Sequence, residues 1–521
     1  MSRSDASSGI RIDWILFALL VLAAVLLFAS LGNGYLWQDE AETALLARNT
    51  LRFGYPATFD GRNLIDIQSP YTHGPGMSWR YSPWLPFYLL AAVFAVAGES
   101  TALARLPFVC FGWLSIVLAW RLIRRLTPDV RIHRLTVALL TCSVPFLLHM
   151  RQCRYYALAT TLLIGVCLAY IRYLEQPSRR RAWWLALTLV LLFHTNYATW
   201  IPAVGALLLH QARWGSRASR QLLLRPALGV ALLTGPWVAF AYQPAFVGSL
   251  SLGRAVQHFA FYVRMTNKYL IPLAFMAGMS LVALASRRWL APQGAWRIRW
   301  SPAVRFLALL ILMQFAFLLI PDQRQVRYFI PVMPLLVMAE AWWLTQWWRQ
   351  SRLIGGLFMG LFLLTNVHQS TSPGIPLADF AGELTHRYVG PMEGIVDYLR
   401  AHGRPEESVK IPYDNRTLMF YTNLYIDPLS EFTRDTAPEW VIPRRGWTPE
   451  WFLETAYFRR ITATFQRIEL DAPDVYWQNR EAPGLHHFRT ATWAPKVIMY
   501  HKLPSTVADE PTTREAHDSG G

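Results

Sequence analysis

"YLWQDEAETALLARNTLRFGYP", Tyr35 to Pro56, follows directly on an apolar run from Trp14 to Leu31. If that run crosses a bilayer, the adjacent carboxylates Asp39 and Glu40 stand within about a turn or two of a membrane surface. Composition supports the crossing. The 521 residues are 53% hydrophobic and 14% aromatic, only 16% are charged, and the mean hydropathy is +0.22. A soluble chain of this size carries more charge and fewer long apolar runs.

Candidate spans are Trp14–Leu31, Ala102–Ile123, Leu135–Met150, Tyr155–Tyr173, Trp183–Pro202 with Trp200–His210, Pro226–Tyr242, Tyr269–Ala285, Val304–Ile320, Phe329–Trp348 and Ile354–Asn366. The expected fold class is thus a polytopic α-helical membrane protein of about 11 transmembrane helices, with interfacial helices in the first outer loop. The first run exceeds a usual signal-peptide core and no small-residue cleavage site follows it, so it reads as a retained helix.

Net charge is +17, almost all of it from arginine. Arginines cluster in short stretches between apolar runs, which marks membrane topology and not nucleic-acid binding. With the N-terminus inside and Ser82–Ala97 in the interface, "RLIRRLTPDVRIHR", "RYLEQPSRRRAWW", "RWGSRASRQLLLR", "RRWLAPQGAWRIRW" and "WWRQSR" all fall on the inner face. If Ser82–Ala97 spans, all fall outside.

The boundaries read as follows: residues 1–366 form the transmembrane domain and residues 32–100 its first outer loop, which carries the acid pair. Residues 367–505 form a small outer α/β domain, and residues 506–521 a disordered tail. In the outer domain "MEGIVDYLRAHG" reads as a helix, and "SVKIPY", "LYIDPL" and "KVIMYHKL" as strands. The four cysteines form no CxxC pair, so neither a disulfide framework nor a zinc signature is present.

Several polar residues reach the outer face. Asp39 and Glu40 open a stretch of good helix formers, "DEAETALLARNTL", whose face of Ala41, Ala44 and Leu45 suits a helix lying on the membrane. Acids there either cap a helix or act chemically, with one carboxylate as a general base. The pair could also hold a divalent cation, although no metal site is otherwise legible. In "RQCRYYAL", Arg151 and Arg154 snorkel to headgroups or clamp a phosphate, with Tyr155 beside them. In "FHTNYATW", His194, Asn196 and Tyr197 make a hydrogen-bonded turn or contact a sugar. Arg327 and Tyr328 in "VRYF" are interface anchors or a second phosphate clamp, and Arg264 and Lys268 in "YVRMTNKY", the end of an outer loop, are weaker candidates of that kind. His73, Arg80 and Tyr81 in "YTHGPGMSWRYSPWLPFYL" lie in a membrane-hugging loop that could line a pocket. No P-loop, GxGxxG or Ser-His-Asp order is present in convincing context.

"WQDEAETALLARNTLRFGYP" resembles the first outer loop of the GT-C glycosyltransferases, especially the family 39 type. That group includes protein O-mannosyltransferases and lipid A aminoarabinose transferases. "GESTALARLPFVCFGWL", "RQCRYYAL", "FHTNY" and "VRYFIPVMPLL" resemble later motifs in the same order, from about Trp14 to Trp348. The resemblance implies a polyprenyl-phosphate sugar donor used at the periplasmic face of a bacterial inner membrane, with a lipid, glycan or protein acceptor. It places the catalytic carboxylate on Asp39, with Glu40 as its companion, and the phosphate-binding arginines on Arg151, Arg154 or Arg327. Two departures stand out. Aminoarabinose transferases carry an acidic-basic pair before Pro-Pro where this chain has "WRYSPWLP", and a second acid where it has "RQCRYY". Both argue against aminoarabinose transfer and a bound metal. The competing expectations are a lipid-linked glycan transporter or flippase, and a scaffold whose outer domain binds glycan. The first would show intramembrane charges and internal repeats, whereas the spans carry few charges and no internal repeat is visible.

Overall fold

The computed structural model describes residues 13–65, 73–241, 251–285, 300–321, 323–364, 376–428, 438–477 and 479–502. The residue 506–521 tail lies outside them. The described chain divides into two compact units. The first holds residues up to Val389 together with Trp477–Ala491; the second holds Gly390–Tyr476 and the residues from Thr492 on.

In the first unit α1 (Trp14–Phe28) leads into α2 (Gln38–Phe53), α3 (Leu85–Ala97) and α4 (Thr101–Leu126). Then come α5 (Val130–Cys142), α6 (Val144–Met150), α7 (Tyr156–Glu175), α8 (Arg179–Phe193), α9 (Tyr197–Trp214) and α10 (Arg217–Ala241). They are followed by α11 (Leu252–Tyr269), α12 (Leu273–Ala285), α13 (Pro302–Phe317), α14 (Met333–Gln350), α15 (Arg352–Leu364) and α16 (Pro376–Thr385).

Three helices, α4, α7 and α10, are each long and apolar enough to cross a membrane. Two bent pairs qualify together, α5 with α6 at 69° and α11 with α12 at 84°. Both bends have a cause in the sequence. Pro145 and Pro272 lack the N–H that a continuous helix would direct at the carbonyl four residues back. The stretch "YVRMTNKY", read from sequence as loop, is helical and belongs to α11, an amphipathic helix. The break between α8 and α9 falls at His194–Asn196, several residues before the Trp200 region where the paired windows met.

Contacts at the helix ends sort the bundle into two ends. At one, Arg134 pairs with Asp13 at 3.0 Å, Arg125 with Glu175 at 2.8 Å and Arg349 with Asp129 at 2.7 Å. These tie the starts of α1 and α5 to the ends of α4, α7 and α14. At the other end, Arg151 reaches the last carbonyls of α1, and Gln314 donates to the Ala198 and Tyr328 carbonyls at 3.1 and 3.0 Å. Arg125, Arg134 and Arg349 thus lie at the end of the bundle away from Arg151 and Gln314, while "RRWLAPQGAWRIRW" falls, but for Trp300, outside the described residues. α3, of 13 residues, is about 20 Å long, short of a ~30 Å hydrocarbon core. It packs on α2 at the acidic end, where Leu85 N donates to the His194 carbonyl at 3.1 Å. α2 itself is buried on nearly every side and does not expose one face to a surface.

The second unit is a small α/β body. Its sheet has the order β2-β1-β3-β5-β4, with β1 (Ser408–Ile411), β2 (Tyr425–Pro428), β3 (Trp440–Val441), β4 (Phe465–Pro473) and β5 (Lys496–Lys502). β1 pairs parallel with β2 and β3, and β5 antiparallel with β3 and β4. The helix expected at "MEGIVDYLRAH" is α17 (Pro391–His402). A Cβ on its Gly394 would stand 2.5 Å from that of Ala472, so only glycine lets this helix approach β4 so closely. Arg444, fully buried, donates to Asp414 at 2.7 Å and to Asp474 at 2.9 Å and holds the loops together.

Candidate active site

The N-terminus of α2 builds the site. The Glu40 carboxylate accepts from the Trp37 backbone N–H at 3.4 Å, closing the helix start, and Gly54 at φ 81° ends the helix. That start projects Asp39 and Glu40 in different directions, and the two carboxylates meet different partners.

Asp39 Oδ2 accepts from Arg327 Nη1 at 2.7 Å and lies 3.7 Å from Arg154 Nη2. Arg154 Nη1 also donates to the Asp39 carbonyl at 2.9 Å, to Glu42 at 3.0 Å and to Thr43 at 3.1 Å. Two guanidinium groups from separate turns therefore converge on one carboxylate. Burial works against the charge on Arg154, but Asp39 and Glu42 outweigh it and hold its pKa well above the ordinary value. Arg327 is raised likewise against its burial, by Tyr156, Asp39 and Glu481.

Glu40 is fully buried and committed elsewhere. Arg105 grips it with Nε–Oε1 at 2.9 Å and Nη2–Oε2 at 2.7 Å, and Cys153 N donates to Oε1 at 2.9 Å. Arg105 spends its remaining N–H groups on the carbonyls of Leu31, Asn33 and Gly34, at 3.0 to 3.3 Å. This bidentate pair fixes the loop that delivers Asp39.

Arg151 and Arg154, three apart, part company too. Arg151 donates to the carbonyls of Leu26, Leu27 and Ala29, each at 2.8 Å, and so caps the C-terminus of α1. Only Arg154 faces Asp39.

The segment Trp477–Ala491 adds groups from far along the chain. Glu481 Oε1 lies 3.5 Å from Arg327 Nη1, and Oε2 lies 3.9 Å from Arg480 Nε. Glu481 is 3% exposed and its Oε2 has no hydrogen-bond partner among the described residues. Burial raises its pKa, but Arg480, Arg327 and His149 together hold it below the ordinary carboxylate range. Arg480 is stacked between Trp37 and Trp477, at 4.4 and 4.2 Å from the ring centres. Asn479 donates to the Tyr35 carbonyl at 2.9 Å, and His486 bonds Glu383 of α16 at 2.8 Å.

Buried around Asp39 are Arg154 Nε, Arg327 Nε and Tyr156 Oη, which also have no hydrogen-bond partner among the described residues. Tyr155 lies beside Arg154, and Tyr328 beside Arg327. Tyr81, 39% exposed, lies within electrostatic reach of Tyr328, Glu42 and both arginines. Asp39, Arg154, Tyr155, Arg327, Tyr328 and Tyr81 thus come together.

Other expected residues serve the frame. His194 Nε2 contacts the Leu233 carbonyl at 3.2 Å, and Asn196 caps α9 through Thr199 N at 2.9 Å. Tyr197 is bonded to Trp237. His73 is bridged to Trp79, with Arg80 half-buried next to it. Arg264 is exposed on α11, and Lys268 lies over Tyr269 at 5.0 Å. Among the described residues no group of three or more His, Cys, Asp or Glu is placed to hold a metal ion.

Glu42, Glu481 and Arg480 were not singled out from sequence. Arg105 was legible only as the arginine of "GESTALARLP", a stretch read by resemblance.

No protein-family model matches the chain, and no curated protein matches it in sequence. Among solved structures it is similar to ArnT from Cupriavidus metallidurans bound to undecaprenyl phosphate. The TM-score is 0.54 at 14% identity, over 94% of this chain and 97% of that one. The same protein in the apo state also gives 0.54, at 13% identity. The archaeal oligosaccharyltransferase AglB from Archaeoglobus fulgidus gives 0.45 at 12% identity, over 83% of this chain and 69% of that one. At this identity the likeness shows a shared fold: the chain is folded as that ArnT structure is.

Proposed function

We propose that the chain is a membrane glycosyltransferase that moves a sugar from a polyprenyl-phosphate donor to a lipid, glycan or protein acceptor. The observation that carries this reading is the convergence of Arg154 and Arg327 on Asp39 at the end of the bundle away from Arg125, Arg134 and Arg349. The likeness in fold to an undecaprenyl-phosphate complex supports it.

The donor's phosphate binds Arg154 and Arg327, drawing guanidinium N–H groups away from the Asp39 carboxylate. Asp39, freed of that hydrogen bond, accepts the proton of the acceptor hydroxyl. The hydroxyl oxygen attacks the anomeric carbon as the bond to the phosphate oxygen breaks. The electron pair leaves with the lipid phosphate, whose charge the arginines stabilise. One displacement inverts the anomeric centre. Glu40 acts in this scheme through position: with Arg105 it fixes the loop. The site faces the periplasm of a bacterial inner membrane on this reading.

The test is mass spectrometry of envelope lipids, glycans and proteins from a deletion strain complemented with wild type or Asp39→Asn. A sugar restored to one acceptor by wild type alone supports the reading, and restoration by both defeats it. A transporter would be restored by both, because carrying a lipid-linked glycan needs no general base.

A further inference from the structure

A second feature lies at the opposite end of the bundle, far from Asp39. Between α8, α9 and α10 runs a cavity of about 350 Å³. Its lining is almost wholly apolar, with Leu185, Leu189, Leu207 and Val230 among its walls. The polar lining residues are Gln211 and Arg220. Gln211 is spoken for: it donates to Tyr170 at 2.8 Å and lies 3.3 Å from Ser219 Oγ. The Arg220 side chain is exposed and makes no hydrogen bond or ion pair among the described residues, and the same holds for the Arg217 side chain one turn earlier.

The charge around this mouth is one-sided. From Gln176 to Ala241 the chain has seven arginines and no carboxylate. Elsewhere at this end arginines find acids, as Arg125 finds Glu175 and Arg349 finds Asp129. Trp183, Trp184 and Trp214 stand exposed at the same level. Exposed tryptophan together with arginine marks the headgroup depth of a bilayer. The cavity therefore opens at headgroup depth and continues into the zone where acyl chains lie.

The geometry points to a seat for an anionic phospholipid, one acyl chain in the α8–α9–α10 cavity and its phosphate on Arg217 and Arg220. A zwitterionic lipid would fill the cavity equally well but would gain less from arginines that lack a counter-charge. The donor lipid is a different ligand, since its phosphate belongs with Arg154 and Arg327 at the other end.

The full-length protein in mild detergent is titrated with dioleoylphosphatidylglycerol, dioleoylphosphatidylcholine or undecaprenyl phosphate. Retained lipid is read by native mass spectrometry, and the thermal midpoint in parallel. The phosphatidylglycerol is expected to be retained over the phosphatidylcholine. Each arginine replaced in Arg217→Gln and Arg220→Gln should weaken retention roughly fivefold. Ala186→Phe, which fills the cavity from α8, should weaken it without touching the charge. If Ala186→Phe fails to fold, the arginine pair decides alone. Equal retention of both phospholipids, or wild-type retention by the double arginine variant, overturns the proposal. So does loss of bound phosphatidylglycerol on adding undecaprenyl phosphate to the Arg217→Gln, Arg220→Gln protein and wild type alike.

Discussion

Asp39 and Arg327, 288 residues apart in sequence, share a hydrogen bond of 2.7 Å. A carboxylate held this way is a poor base, and it becomes a good one when another anion takes the guanidinium. On the proposed reading, substrate binding and base activation are one event.

The arginines should therefore set affinity for the lipid phosphate. Arg154→Gln and Arg327→Gln should each weaken binding of undecaprenyl phosphate to the purified protein by about tenfold or more, the scale of a charge-assisted hydrogen bond. Arg151→Gln should instead lower the thermal midpoint, because its three hydrogen bonds end on carbonyls of α1. Weaker lipid binding in the Arg151 variant than in the other two would reverse this assignment.

Glu481 stands on the far side of Arg327 with one oxygen unbonded. On the proposed reading it competes with the incoming phosphate for that guanidinium. Glu481→Gln should tighten undecaprenyl phosphate binding a few-fold, with the gain shrinking as salt rises. Looser binding would mean that Glu481 holds Arg327 in place instead.

The Arg105–Glu40 pair belongs to the frame. Arg105→Met leaves a fully buried carboxylate without its partner, at a cost of about 3–5 kcal/mol. Glu40→Gln keeps hydrogen-bonding capacity and should cost less. Denaturation of the two variants in detergent measures the order.

His486 and Glu383 give the Trp477–Ala491 segment a pH-dependent anchor. Burial lowers the His486 pKa, but Glu383 outweighs it and raises the value above 6.5. Burial raises the Glu383 pKa, but His486 and Arg151 carry it below 4.5. The histidine's contribution is complete below 6.5 and lost as pH rises through its folded value. The glutamate's is complete above 4.5 and lost as pH falls through its folded value. The anchor is therefore strongest between those two ordinary values. Hydrogen exchange of the segment should be slowest there and should quicken on the alkaline side. In His486→Ala this pH dependence should flatten.

Much of this architecture was legible because bilayers constrain sequence strongly. Apolar runs and arginine clusters marked the helices and the two ends, and the turns bearing Asp39, Arg154 and Arg327 broke those runs. Arg151 and Arg154 looked equivalent, since spacing on one turn does not say which helix end each guanidinium reaches. Glu40 looked like a second catalytic acid because its partner, Arg105, is 65 residues away. Glu481 carried no signal at all: it reads as one acid in a polar stretch, and only tertiary folding carries it to Arg327. The α11 helix read as loop because its apolar residues are too sparse for a membrane window and reveal themselves only at a helical period.

The most direct measurement is single-turnover sugar transfer by purified Asp39→Asn, with undecaprenyl phosphate binding followed in the same preparation. The account predicts that transfer falls at least about a hundredfold while the lipid phosphate binds as well as or better than to wild type. Transfer at the wild-type rate would contradict it.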